Sequence, residues 1–164
     1  MNSKDSFKLT ASGEREIVMT RVFDARRSLV FDTLTKPELV KRWLLGPEGW
    51  TMPVCEIDLR VGGTYRYVWR HTAKGTEMSL HGVYREIVPP DRLVHTEKFD
   101  QPWYPGEALV TNTLVERDGR TTLTCSMLYD SRETRDTVLK SGMERGVVAS
   151  YNRMDDILAE LGAK

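Results

Sequence analysis

The feature that most limits what this chain can fold into is the stretch from 50 to 129. It reads as six short segments in which apolar and polar residues alternate, separated by turn signals rather than helical spacing. "TMPVCEIDLRV" runs into Gly62-Gly63, and "TYRYVWRHTA" turns at Lys74-Gly75 into "TEMSLHGVYREIV". Pro89-Pro90-Asp91-Arg92 leads into "LVHTEKFD". After the loop "QPWYPGE", "ALVTNTLVER" turns at Asp118-Gly119, a favoured type I′ pair, into "TTLTCSMLY". Strands joined by such short turns pair antiparallel, with one face wet and the other needing a cover.

The flanks supply that cover. "EREIVMTRVFDA" (14–25) is rich in β-branched and aromatic residues and reads as a first strand. "RRSLVFDTLTKPELVKRWLLG" reads as two short helices, one with the stripe Leu29, Val30, Leu34 and one with Leu39, Val40, Trp43, Leu44. Pro37 suits the first turn of the second, and Gly46-Pro47 ends it. A polar connector follows the last strand. Then Met143, Val147, Tyr151, Met154, Leu158 and Leu161 recur at helical spacing over about 142–161. Only this helix is long enough to cover a sheet. The expected fold is α+β: a curved antiparallel sheet of about seven strands around a long C-terminal helix, with two short helices after the first strand. Residues 1–13 are expected to form a flexible arm and 14–164 a single domain, since no repeat or low-complexity linker divides the chain.

Charge narrows the partners. The 24 basic and 24 acidic residues cancel, and no like-charge block stands out, so no nucleic-acid partner is expected. No apolar run approaches the ~20 residues of a membrane span. The N-terminal "MNSKDSFKLTASGE" lacks a signal-peptide core, so a cytoplasmic protein is expected. Cys55 and Cys125 are isolated and read as free buried thiols. A homodimer is compatible with the sequence.

Turn lengths assign the faces. A two-residue turn at Lys74-Gly75 would set Tyr65 opposite Tyr84, Tyr67 opposite Gly82, Trp69 opposite Leu80 and His71 opposite Met78. A two-residue turn at Asp118-Gly119 would set Leu114 opposite Leu123, Asn112 opposite Cys125, Val110 opposite Met127 and Ala108 opposite Tyr129. A four-residue "PPDR" loop would bring Leu93, His95, Glu97 and Phe99 inward, with Glu97 opposite Tyr84 and His95 opposite Glu86. A one-residue slip would reverse these faces. A carboxylate on such a face is costly unless paired or solvated. Either a bulge turns Glu97 outward, or it hydrogen-bonds a tyrosine, or it is a polar handle inside a cavity.

The inner inventory is rich in tyrosine and methionine. Buried tyrosines need hydroxyl partners, and methionine adapts to variable contacts. Together they suggest a mostly apolar concavity with a few polar groups. The candidate ligand-binding residues are Trp50, Tyr67, Trp69, Met78, Leu80, Tyr84, Glu97, Phe99, Met127, Tyr129, Met143, Val147 and Tyr151. Trp43 is expected to anchor the short helices to the sheet edge, and Trp50, after the flexible "GPEG", to lie near the cavity mouth. The histidines do not converge: His81 points to the other face, and His71 and His95 are placed ~26 Å apart along the sheet. No CxxC, HExxH, GxSxG or dinucleotide fingerprint occurs, so no metal, cofactor or catalytic residue is assigned. Glu97 and His95, at i and i+2, lack an obvious nucleophile.

"TRVFDARRSLVFDTLTKPELVKRWLLGPEGWT", "IDLRVGGTYRYVW", "GVYREIVPPDRLVHTEKFD", "RDGRTTLTCSM" and "GMERGVVASYNRMDDILAEL" appear in the order found in the SRPBCC (START-like) superfamily. The chain resembles in particular proteins like the C-terminal domain of the activator of heat-shock protein 90 ATPase, over about 14–161. The resemblance implies the helix-grip fold, a sheet gripping a long helix around an apolar cavity. It departs from the family pattern at Arg26, often proline; at Leu44, often a second tryptophan; and at Val147, often tryptophan after glycine. The last change is expected to enlarge the cavity. The primary expectation is a protein that binds a small apolar or aromatic molecule. The alternatives are a chaperone cofactor, less expected because the chain has no room for that activator's additional N-terminal domain, and a cyclase or hydrolase of polyketide-like substrates.

Overall fold

The computed structural model describes residues 3–162. A single 3-10 turn (Ser3–Ser6) precedes strand β1 (Lys8–Ser12) and strand β2 (Glu16–Phe23). Helices α1 (Arg27–Thr35) and α2 (Pro37–Trp43) follow. The meander is β3 (Trp50–Ile57), β4 (Thr64–His71), β5 (Glu77–Val88), β6 (Arg92–Phe99), β7 (Ala108–Arg117) and β8 (Arg120–Leu128). Helices α3 (Arg132–Leu139) and α4 (Met143–Gly162) end the described chain. All eight strands form one antiparallel sheet, ordered β1-β2-β8-β7-β6-β5-β4-β3. This is the helix-grip arrangement, with the second strand pairing with the last.

Two elements differ from the sequence expectation. Residues 8–12, expected in a flexible arm, pair with β2 as an edge strand. The preceding turn is tied down too, for Ser6 Oγ accepts from Val22 N at 2.9 Å. Short, polar β1 is exposed along most of its length, so it lacks the alternation that marks a strand. Residues 1 and 2 lie outside the described residues. The polar connector contains α3, started by Ser131, whose side chain accepts from Thr134 N at 3.1 Å. Buried Arg135 on α3 donates to Glu16 O at 2.9 Å, fixing this helix to the β1–β2 turn.

The Asp118-Gly119 hairpin has the expected register: Leu114 faces Leu123, Asn112 faces Cys125 and Val110 faces Met127. The Lys74-Gly75 hairpin does not. Its turn is wider, with His71 N donating to Thr76 O, and the pairs are Tyr65 with Gly82, Tyr67 with Leu80 and Trp69 with Met78. The shift is two residues, and side chains alternate with period two, so the faces survive. Between β5 and β6 two one-residue shifts add to two. The loop is one residue shorter than expected, pairing Val88 with Arg92, and a bulge between Tyr84 and Glu86 moves the register by one more. His95 therefore faces Tyr84, and Glu86 faces Val94.

The core is split. One cluster joins α1, α2 and the C-terminal half of α4 to β2, β4 and β5 through Phe23, Val30, Trp43, Tyr65, Tyr84, Tyr151, Met154 and Leu158. The other joins β2, β7, β8 and α3 through Ile17, Met19, Ala108, Val110, Met127, Tyr129 and Val138. Phe7, Phe99 and Val147 pack against both. The closest backbone neighbours of α4 are the other helices and the N-terminal 3-10 turn rather than any strand. Beside this apolar packing an ion pair clamps it to the sheet: Arg21, 1% exposed on β2, meets Asp155 at 2.7 Å and Asn152 Oδ1 at 2.9 Å.

Candidate functional site

A pocket of about 500 Å³ lies between sheet and α4, where the two core clusters stop short of each other. Twelve of the thirteen candidate residues border it. Strands supply Trp50, Tyr67, Trp69, Met78, Leu80, Glu97, Phe99 and Met127, Tyr129 follows β8, and α4 supplies Met143, Val147 and Tyr151. Tyr84 is the exception. It is 1% exposed, packs on Tyr65 at 5.4 Å and His95 at 5.9 Å, and belongs to the core beside the pocket. The shorter β5–β6 loop and the β5 bulge together set it opposite His95 rather than Glu97.

The Gly-Pro break forms part of the wall. Gly46 has φ +66, a conformation open to glycine and strained for other residues. That turn is pinned to α4 from both sides: Gly46 N donates to Ser150 Oγ at 2.9 Å, and Arg153 Nη1 donates to Gly46 O at 2.7 Å. Trp43 is buried, donates to Thr33 O at 2.6 Å and stacks on Tyr151 at 6.0 Å. It thus anchors α2 to α1 and α4, not to the sheet edge as expected. Trp69 Nε1 donates to Leu44 O at 2.7 Å, closing β4 against the same segment. Trp50 borders the pocket, edge-on to His71 at 5.1 Å.

The polar groups are few and unequal. Glu97 faces inward because the bulge lies in β5 and leaves β6 straight. Its carboxylate borders the pocket and has no hydrogen bond or ion pair among the described residues. Desolvation raises its pKa from the ordinary 4.5 to about 7. Desolvation lowers His95 from 6.5 to about 4, so this ring is neutral at pH 7. Tyr65 donates its hydroxyl proton to Thr96 O, while His95 Nδ1 lies 3.0 Å from Tyr65 Oη and 3.2 Å from the same carbonyl. A carbonyl only accepts, so Nδ1 carries the proton and Nε2 is left as the acceptor. This arrangement needs Gly82, since a Cβ there would lie 1.9 Å from Thr96 O and 2.7 Å from the Tyr65 hydroxyl.

Sequence reasoning missed Trp103 and Tyr104. They lie in the aperiodic "QPWYPGE" loop, which folds back so that both border the pocket. Tyr104 packs on Tyr129 at 5.6 Å, and its buried hydroxyl has no partner among the described residues. The only signal was two aromatics in an otherwise polar turn. Met19, Asn112 and Cys125 also border the pocket and could have been found from the inward face of their strands. Burial holds the Cys125 thiol up at about 12, a poor nucleophile. Among the described residues, no group of three potential metal ligands converges.

The family model for activator of Hsp90 ATPase homolog 1-like protein matches residues 24–159. The chain belongs to this family. A crystal structure of a Rhodobacter sphaeroides protein is 31% identical, with a TM-score of 0.89 over 95% of this chain and 99% of that one. A Chromobacterium violaceum protein, CV1439, is 26% identical, with a TM-score of 0.79 over 88% of this chain and 96% of that one. An AHSA1-like protein from Aeromonas hydrophila, 15% identical with a TM-score of 0.70 over 87% of this chain and 93% of that one, shares the fold. A comparison with curated protein sequences finds no match. Among the described residues, no helix of this family member is long and apolar enough to cross a membrane.

Proposed function

We propose that this protein binds a small apolar or aromatic molecule between sheet and α4. The observation that carries the reading is the pocket between the two core clusters. Its volume, about 500 Å³, lies within the range of small-molecule sites, roughly 300–1,000 Å³. All four tryptophans border it. An apolar space of that size is costly to leave unfilled, because its lining loses packing contacts. A cytoplasmic setting fits the two unpaired cysteines. Native mass spectrometry of freshly purified protein and displacement of a neutral hydrophobic dye test the reading. We expect one equivalent of dye to bind and an apolar aromatic such as naphthalene to displace it. Absence of any binding at high concentration would remove it.

A second reading rests on the family description, which names an activator of the Hsp90 ATPase. Stimulation of the host's own heat-shock protein 90 ATPase by the purified protein would favour it. Co-precipitation without stimulation would not. A cyclase or hydrolase reading has less support: the thiol that borders the pocket, Cys125, is held protonated by burial.

A further inference from the structure

The pocket contains an electrostatic asymmetry. Among the described residues its wall includes one carboxylate, Glu97, and no lysine or arginine. Across the strands Glu97 faces Ala108 on β7, and the Tyr65 ring lies over Gly82 on β5, so neither neighbour offers Glu97 a donor. Four tyrosines, Tyr65, Tyr67, Tyr104 and Tyr129, lie close enough for their ionisation to feel its charge. None donates to it among the described residues. Tyr65 donates to Thr96 O, Tyr129 to Met127 Sδ at 3.8 Å, and the Tyr104 hydroxyl has no partner. A carboxylate held by the backbone in an apolar, aromatic space lacks the cation and donors that normally accompany burial. An ammonium group would supply both, and aromatic rings favour it further. An anionic head group would meet uncompensated repulsion.

We propose that the ligand carries a protonated amine, which docks on Glu97 while its aromatic or apolar body fills the space toward α4. This rests on the binding reading above and adds the chemistry of the head group. The other titratable groups around Glu97 do not compete. His95 on the same strand stays neutral at pH 7. Tyr65 and Tyr67 on β4, Tyr104 in the β6–β7 loop, Cys125 on β8, Tyr129 after it and Tyr151 on α4 are all held in their protonated forms by burial. An ammonium prefers the ionised form of Glu97. Its affinity should therefore rise about tenfold between about pH 6 and pH 8, the ratio of ionised fractions for a group titrating near 7.

The test is calorimetric titration of the protein with naphthalene, naphthylmethanol, naphthylmethylamine and naphthoate at about pH 6 and pH 8. The expected result at the higher pH is the amine tightest, about tenfold or more tighter than naphthalene, and naphthoate weakest. Only the amine should tighten as pH rises, and Glu97→Gln, its fold checked by circular dichroism, should abolish both the preference and the pH dependence. Equal affinity across the series, a flat amine profile, or naphthoate binding tightest would overturn the amine proposal and leave the binding reading standing. No binding by any member would remove the binding reading and this one with it. The pH profile of the unaltered protein decides the matter even where the variant fails to fold.

Discussion

Glu97 and His95 are two residues apart on β6, and burial moves both toward their neutral forms, with opposite consequences for stability. Glu97 has a folded pKa of about 7 against an ordinary 4.5. Between those values the unfolded chain has released a proton that the folded protein keeps, so stability falls as pH rises, by about 1.4 kcal/mol per pH unit, and levels off above the folded value. His95 has a folded pKa of about 4 against 6.5. There the unfolded chain takes up a proton that the folded protein refuses, so stability rises with pH at a similar rate. From 4.5 to 6.5 the two slopes oppose each other. Asp100 and Asp136, held low by hydrogen bonds from Arg66 and Arg135, act below that window. We predict that urea-unfolding free energies of Glu97→Gln rise with pH across this window and those of His95→Gln fall, each departing from the flatter profile of the unaltered protein. Parallel profiles for the two variants would contradict the burial of both groups.

At the scale of elements, a buried ion pair joins α4 to β2. Arg21 reaches from the inner face of β2 to Asp155 and Asn152 and lies over Phe23 at 5.1 Å. A buried cation stripped of its counter-ion costs far more than an exposed one. Asp155→Ala is predicted to lower unfolding free energy by about 3–5 kcal/mol. Glu160→Ala, which removes the exposed Arg42–Glu160 pair on the same helix, should cost less than about 1 kcal/mol. Equal losses would mean that the buried pair does not clamp the helix. The β5 bulge belongs to this scale as well. Neither Arg85 nor its neighbours mark it in sequence, and together with the shorter β5–β6 loop it brings His95, not Glu97, opposite Tyr84.

For the molecule as a whole, the pocket lies between two core clusters, each built from helix and strand residues, that meet among the described residues only through Phe7, Phe99 and Val147. Val147 is where the family pattern often has tryptophan. Val147→Trp is predicted to preserve the fold by circular dichroism, because the added ring projects into existing space rather than into packed core. It should weaken naphthalene binding by at least about tenfold, since an occupied site excludes the ligand. Unchanged affinity in calorimetry would place the binding site elsewhere.

The sequence by itself determined the strand alternation, the positions of the turns and the amphipathic last helix, and with them the α+β architecture and the inward faces of β4 to β8. Those features are local, and period-two alternation made the faces immune to register errors of two residues. Hence Tyr67, Trp69, Leu80 and Phe99 were found on the pocket side although their partners were misjudged. Tertiary structure decided what lies beyond the reach of local pattern. It paired β1 with β2, bulged β5 so that the β5–β6 register shifted, and folded the 100–107 loop back to bring Tyr104 to the pocket. It also matched Arg21 to Asp155 across 134 residues. Each of these depends on contacts between distant segments, whose free energy no short stretch of sequence contains.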